Sequence, residues 1–92
     1  MSPLSKSMVH LSYFHAAIEN IEMLFLGPMT PADLGSVRVE IEVAKKNLTA
    51  ITIEHEDGCR ELTDKQLAAL RALMSITEFN YTMQLQMRRK AA

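Results

Sequence analysis

Apolar residues recur at alternating intervals of three and four along most of this 92-residue chain, which is the spacing of one helical face. The first series comprises Leu11, Phe14, Ile18, Ile21 and Phe25. The second comprises Leu34, Val37, Ile41, Ala44, Leu48, Ile51 and His55. The third comprises Leu70, Leu73, Ile76, Asn80, Met83 and Met87, with Leu67, Met74, Tyr81 and Leu85 beside it. The pattern predicts three amphipathic helices.

Two of the three helices have a start signal made of a capping residue followed by proline. Ser2-Pro3 and Thr30-Pro31 each place a hydroxyl at the N-cap and proline at the first helical position. The third helix has a different signal, because Thr63 and Gln66 have the spacing of a capping box. These signals predict helix starts near residues 3, 31 and 64.

Helix ends are marked by glycine. Gly27, which precedes a proline, is predicted to follow the first helix as its C′ residue, and Gly58 to follow the second. The third series contains neither glycine nor proline up to its basic end. The helices are therefore predicted at about 3–26, 31–57 and 64–90.

The middle segment also fits a β-strand pattern. Between residues 37 and 43, Val37, Val39, Ile41 and Val43 alternate with charged residues. A β-hairpin would have to turn at residues 45–47, which include neither glycine nor proline. We therefore predict an all-α fold, either a three-helix bundle or a long helical hairpin with a preceding helix. The alternative is an α+β fold with a β-hairpin at 36–55.

The predicted middle helix has apolar residues on two sides. Besides the series from Leu34 to His55, a second stripe on this helix consists of Val39, Val43, Ala50 and Ile53. A helix with two apolar sides is expected at the centre of its bundle. We expect it to face the first and third helices, or one of them and a second copy of the chain.

The length and composition favour self-association. Ninety-two residues form a single domain, 1–92, whose core is thin. Aromatic residues make up only 5% of the chain, whereas methionine occurs seven times. Methionine adapts to irregular apolar surfaces. Since three wide apolar faces exceed what one thin core buries, we expect a homodimer or a dedicated protein partner.

Charge is unevenly distributed along the chain. The net charge is −1, but residues 1–62 have a formal charge of −4 and residues 63–92 one of +3. A balance near zero gives no general attraction to nucleic acid or membranes. A single cysteine excludes an internal disulfide, and no apolar run is long enough for a membrane span. The N-terminal residues lack the layout of a signal peptide, so a cytoplasmic protein is expected.

The residues that could carry chemistry lack the partners that they would need. Cys59 lies beside Arg60, which favours a thiolate, but His55 is the only nearby base and no oxyanion loop is evident. The acidic run around His55 and the pair His10 and His15 lack the spacing of metal ligands on one helical face. No catalytic residue, metal site or cofactor is therefore predicted.

Residues 62–73, LTDKQLAALRAL, resemble the first helix of a LuxR-type helix-turn-helix. That resemblance implies a turn and a recognition helix directly afterwards. Residues 74–79 instead continue without glycine, and few residues follow them. The sequence therefore departs from the family pattern, and no family is assigned.

The function expected from the sequence is protein binding by the last helix. A small chaperone, an anti-activator or an inhibitor that captures a partner's helix or surface would use such a helix. The expected partner-binding residues are Asn80, Met83, Met87, Arg88 and Arg89. Asn80 could fix the register of an apolar seam or simply face solvent. The alternative is a nucleic-acid-associated transcriptional regulator that uses the basic C-terminal helix.

Overall fold

The computed structural model describes residues 6–58 and 61–91, with side chains described up to residue 88. It contains three helices: α1 (Lys6–Phe25), α2 (Pro31–Glu56) and α3 (Asp64–Ala91). No strand occurs in the described residues, so the prediction of an all-α fold is confirmed. Helix α2 is continuous through the segment for which a β-hairpin was the alternative.

Helix α2 begins with a complete capping box. The Thr30 hydroxyl accepts a hydrogen bond from the Asp33 amide at 3.1 Å, and the Asp33 carboxylate accepts one from the Thr30 amide at 3.0 Å. Pro31 occupies the first position, as predicted. Gly58 follows the end of α2 with φ of +104°, a conformation that side chains larger than glycine's rarely adopt. Its amide donates to the His55 carbonyl, which closes the last turn.

Helix α3 begins with the predicted capping box. The Gln66 amide donates to the Thr63 hydroxyl at 3.1 Å, and the Thr63 amide donates to the Gln66 side chain at 2.8 Å. From Asp64 the helix continues without interruption to Ala91. It therefore lacks the turn that a helix-turn-helix requires after its first helix.

The first helix ends differently from the prediction. It ends at Phe25, and the Leu26 amide donates to the Met23 carbonyl. Gly27 does not have a positive φ, so it does not form the left-handed C′ cap that was expected. The predicted start at Ser2-Pro3 lies outside the described residues.

Two contacts between residues far apart in the sequence show that neighbouring helices run in opposite directions. Ser7 near the start of α1 contacts Glu54 near the end of α2. Arg88 near the end of α3 contacts the Met29 carbonyl just before α2. The molecule measures 51 × 25 × 17 Å, with more extensive packing of α1 on α2 than of α3 on α2.

The core is formed along the inner face of α2. The α1 residues Phe14, Ile18 and Ile21 are buried, as the spacing predicted. Ala17 joins them, whereas Tyr13 is exposed. The first α2 series also packs inwards, with its buried members being Leu34, Val37, Ile41, Ala44, Ile51 and His55. Leu62 in the α2–α3 connection closes one end of this core.

The second stripe of α2 lies away from the core. Val39, Val43 and Ile53 are exposed. Val37 and Ile41 lie on the other side and are buried. Helix α2 contacts both α1 and α3, which is one of the two expected arrangements, and its second stripe stays exposed.

Candidate protein-binding surface on α3

Apart from Leu70, the side of α3 that faces the core is formed by residues outside the predicted third series. The inward residues include Leu67, Leu70, Met74 and Thr77, which are buried, and Tyr81, which is half-buried. They are spaced three and four apart, so they form one face of their own. Most of the predicted third series, from Ile76 onwards, consequently lies on the outer side of α3.

Thr77 is a polar residue in the middle of the inner face. Its side chain is buried although it is polar. The hydroxyl donates to the Leu73 carbonyl at 2.8 Å, which satisfies it without a partner on another helix. Thr77 interrupts the apolar pattern of the inner face as Asn80 interrupts that of the predicted series, so the apolar pattern alone does not distinguish the two faces.

The outer side of α3 presents four large apolar side chains to solvent. The exposed fractions are 58% for Ile76, 64% for Phe79, 41% for Met83 and 59% for Met87. Their spacing places them on one helical face about 16 Å long. We call these four residues the α3 apolar stripe. A contiguous exposed apolar surface of this kind is typical of a binding site.

Small residues continue the same face towards the start of α3. Ala68, Ala69 and Ala72 are all exposed. Ala69 and Ala72 precede Ile76 at the same three-four spacing that the stripe has. The outer face therefore changes from small side chains in its first half to large ones in its second half.

The predicted binding residues fall into two groups. Asn80, Met83 and Met87 are exposed together on the outer side, so Asn80 is not buried in an apolar seam of this chain. Arg88 is half-buried, and its guanidinium donates to the Met29 carbonyl. The structure therefore places Arg88 towards the α1–α2 connection and away from the stripe. The Arg89 side chain lies outside the described part of the chain.

Phe79 was not among the predicted binding residues, although it is the most exposed member of the stripe. Ile76 was in the predicted series but not in the predicted site. The spacing from Ile76 through Phe79 to Met83, three and then four residues, was a signal that could have identified both.

The charges of α3 are arranged around the stripe. The Glu78 carboxylate lies 3.9 Å from the Lys45 ammonium of α2, so this acid is on the side of α3 that adjoins α2. Lys65 and Arg71 are exposed in the first half of the helix. Since both partners of the Lys45–Glu78 pair are substantially exposed, the pair contributes little stability.

Asp33, in the first turn of α2, interacts with the charge of Arg88 near the end of α3. The hydrogen bond from the Thr30 backbone amide holds the pKa of Asp33 below its ordinary value. The Thr30 side chain and the charge of Arg88 lower this pKa further. Arg88 is therefore occupied by groups at the start of α2, electrostatically by Asp33 and through a hydrogen bond by Met29.

A second polar cluster joins the start of α1 to the end of α2. The Ser7 hydroxyl donates to the Glu54 carboxylate, whose other oxygen lies 2.6 Å from His10 Nδ1. Nδ1 is within ion-pair distance but makes no hydrogen bond with the described residues. The Ser7 hydroxyl and the His10 imidazole therefore both contact the Glu54 carboxylate.

His55, which follows Glu54 at the same end of α2, contacts the start of α3. His55 is buried, and its Nε2 lies 3.1 Å from the Asp64 carboxylate, which is exposed. Within the described ranges, no group of three histidine, cysteine, aspartate or glutamate residues could hold a metal ion. Cys59, the candidate thiol, lies outside those ranges.

The α3 apolar stripe is thus a candidate binding site formed by four exposed side chains on one helix. Among the helices described, none has the length and apolar character required to cross a bilayer. Comparisons with protein-family models, with curated proteins and with solved structures gave no match.

Proposed function

We propose that this protein is a non-enzymatic protein–protein interaction module that binds an amphipathic helix on the α3 apolar stripe. The observation that carries the proposal is the exposure of Phe79, at 64%, in line with Ile76, Met83 and Met87. An aromatic residue among aliphatic and methionine side chains is a common composition for the centre of a protein interface.

The stripe has the shape that a helix needs. Residues three and four apart on α3 create one ridge, and a second helix can pack along it in the manner of helix-in-groove recognition. Met83 and Met87 are unbranched and flexible, so they can adjust to the side chains of the bound helix. Binding would act by covering a surface of the bound chain, as a small chaperone, an anti-activator or an inhibitor does.

Arg88 supports this proposal over the nucleic-acid alternative. A regulator that used the basic end of α3 would need cations that point to solvent and contact phosphates. The Arg88 guanidinium instead donates to the Met29 carbonyl and lies near Asp33. We therefore retain protein binding as the function.

A pair of charge substitutions tests the proposal. Phe79→Glu places a carboxylate in the stripe, and Val39→Glu places one in the exposed surface of α2, where Val39 is 61% exposed. The experiment is affinity capture with the tagged full chain, to which a differently tagged copy of the same chain is added at known concentration. The polypeptides that bind the unaltered chain should no longer bind the Phe79→Glu variant, and should still bind the Val39→Glu variant.

Two results would contradict the proposal. One is that the unaltered chain retains no polypeptide, either itself or another. The other is that Phe79→Glu, with an unchanged circular dichroism spectrum, retains the same polypeptides as the unaltered chain. Loss of binding in both variants would also contradict the proposal, because the binding surface would then include α2 as well as α3.

A further inference from the structure

We propose that the helix bound by the α3 apolar stripe is α3 of a second copy, running in the opposite direction. This inference rests on the proposed function and names the partner of the same surface. Two independent properties support it: the gradient of side-chain size along the outer face of α3, and the opposite formal charges of the segment that precedes α3 and of its C-terminal end.

The gradient of size makes the outer face complementary to itself. Ala69 and Ala72 lie in the first half, and Met83 and Met87 in the second. When two such helices pair in opposite directions, each large side chain of one copy meets a small one of the other. Interfaces pack well when large and small residues face each other in this way. A two-fold axis then relates two identical surfaces, which gives a closed dimer.

The pairing register follows from the spacing. An axis that passes between residues 77 and 78 places Ile76 against the partner's Phe79. It also places Ala72 against the partner's Met83, and Ala69 near the partner's Met87. All six residues are exposed in the single chain. In an antiparallel coiled coil the facing layers alternate in the same way.

The charges favour the same direction. Residues 54–65 include five acids (Glu54, Glu56, Asp57, Glu61 and Asp64) and two bases (Arg60 and Lys65), a formal charge of −3. Residues 88–90 are all basic, and Arg89 and Lys90 add a formal charge of +2 beyond Arg88, which contacts Met29 of its own chain. Antiparallel pairing of α3 brings the basic end of each copy towards the acidic segment 54–65 of the other. Opposite charges at both ends favour this orientation and suppress the parallel one.

Parallel pairing lacks both advantages. It would place Met83 on Met83 and Ala72 on Ala72, so the first half of the interface would be loosely packed. It would also bring the three cations of each copy together. Packing of the stripe on the exposed α2 surface of another copy would be a head-to-tail contact, which gives rings or open chains of molecules and not a two-fold dimer.

The surface has the area of a small interface. Each of the four stripe residues leaves on the order of 100 Å² of apolar surface exposed, given the usual size of such side chains. Pairing two copies would thus cover on the order of 800 Å² from the stripe, with the alanines and the helix flanks in addition. The total approaches the lower limit for specific interfaces, so the dimer should dissociate on dilution.

Disulfide trapping tests both the partner and the direction. In a Cys59→Ser background, Ala72→Cys and Met83→Cys are made as separate single-cysteine chains. Each is oxidised alone, and then an equal mixture of the two is oxidised. A disulfide requires the two Cβ atoms to lie about 3.5–4.5 Å apart. Residues 72 and 83 are about 16 Å apart along one helix, so neither chain alone should form the antiparallel cross-link.

The expected result is a covalent dimer in the mixture at least tenfold more abundant than in either chain alone. It should be lost when Phe79→Glu is added to both chains. Equal cross-linking of each chain alone would show parallel pairing and overturn the inference. A monomer mass by light scattering at tens of micromolar would also overturn the inference of a dimer. If Phe79→Glu nevertheless abolished the binding of a different polypeptide, the proposed function would still hold.

Discussion

Oε1 of Glu54 lies 2.6 Å from Nδ1 of His10, and the other carboxylate oxygen accepts the hydrogen bond of Ser7. One side chain near the end of α2 therefore contacts two successive turns of α1. Ser7 is buried, and only 20% of the Glu54 side chain is exposed. Removal of the carboxylate would leave a buried hydroxyl that has lost this acceptor.

We predict that Glu54→Ala lowers the free energy of unfolding by about 1–3 kcal/mol, which is the usual effect of removing a charged acceptor from a largely buried donor. Urea unfolding followed by circular dichroism measures it. Glu56→Ala is the matched control, because Glu56 is exposed on the same turn of α2. It should change stability by no more than about 0.5 kcal/mol. Equal effects of the two variants would show that the Glu54 contacts do not stabilise the fold.

The two capping boxes make a second prediction. Thr30→Ala and Thr63→Ala each remove a hydroxyl that accepts from a backbone amide, at Asp33 and Gln66 respectively. Each should lower the free energy of unfolding by about 0.5–2 kcal/mol. Because the two boxes are on different helices, the double variant should show the sum of the two effects.

Thr49→Ala serves as the control for the capping variants. Thr49 is exposed within α2 and accepts no capping hydrogen bond there. Replacement of a β-branched residue by alanine within a helix should leave stability unchanged or slightly raised. A loss as large as that of the capping variants would mean that their effect does not come from the caps.

Asp33 gives a pH dependence whose sign follows from its lowered pKa. The Thr30 backbone hydrogen bond, the Thr30 side chain and the charge of Arg88 stabilise the ionised carboxylate in the folded state. The unfolded chain therefore binds a proton more readily than the folded chain. The contribution to stability is fully present above the unfolded pKa of about 3.9, and is lost as the pH falls through the lower folded pKa.

Thermal unfolding of the unaltered chain and of Asp33→Asn at several pH values measures this contribution. The unaltered chain should have the higher Tm at pH values above about 5. The difference should become smaller as the pH falls below about 4 and the Asp33 carboxylate of the folded chain takes up a proton. A difference that stays constant from neutral to acidic pH would contradict the assignment to the Asp33 charge.

Two methionines on α3 provide a matched comparison of the inner and outer faces. Met74 is 4% exposed and Met83 is 41% exposed. Met74→Ala should lower the free energy of unfolding by about 2–5 kcal/mol, because it leaves a cavity in the core. Met83→Ala should have little effect on the stability of the dilute protein, and should instead weaken association at high concentration. The comparison is made by urea unfolding at low and high protein concentrations.

A similar loss of stability for both methionine variants in dilute solution would show that Met83 is part of the core. It would also remove the basis for the α3 apolar stripe as a binding surface. The concentration series is required, because association stabilises the folded state by mass action.

Local signals in the sequence were sufficient for the helices. Thr30-Pro31 and the Thr63 capping box predicted starts at 31 and 64, and the structure begins α2 at Pro31 and α3 at Asp64. The seam of α1 was equally clear, because its apolar residues occupy one face with little competition from other faces. Gly27 was less informative. Glycine permits a left-handed cap but does not require one.

The orientation of α3 could not be obtained in the same way. The sequence has apolar residues on two faces of this helix, and their spacing does not show which face α2 covers. The sequence pattern predicts the series from Ile76 onwards as the principal one, whereas the structure buries the face that contains Thr77. The contact of Arg88 with Met29 was likewise inaccessible, because it joins residues 59 positions apart in the sequence. Such contacts depend on how the helices pack.

The unequal packing of α1 and α3 on α2 has a consequence for how the chain folds and opens. Most contact between helices involves neighbours in the sequence, and the α1–α2 pair has the larger share. Chains with such local contacts fold in microseconds to milliseconds. The hairpin of α1 and α2 is therefore expected to assemble first, with α3 docking afterwards. In the native state, α3 can detach as a cooperative unit at a lower free energy than global unfolding. Its amides should then exchange with deuterium sooner than those of α1, and each detachment would expose Leu67, Leu70 and Met74 for as long as it lasts.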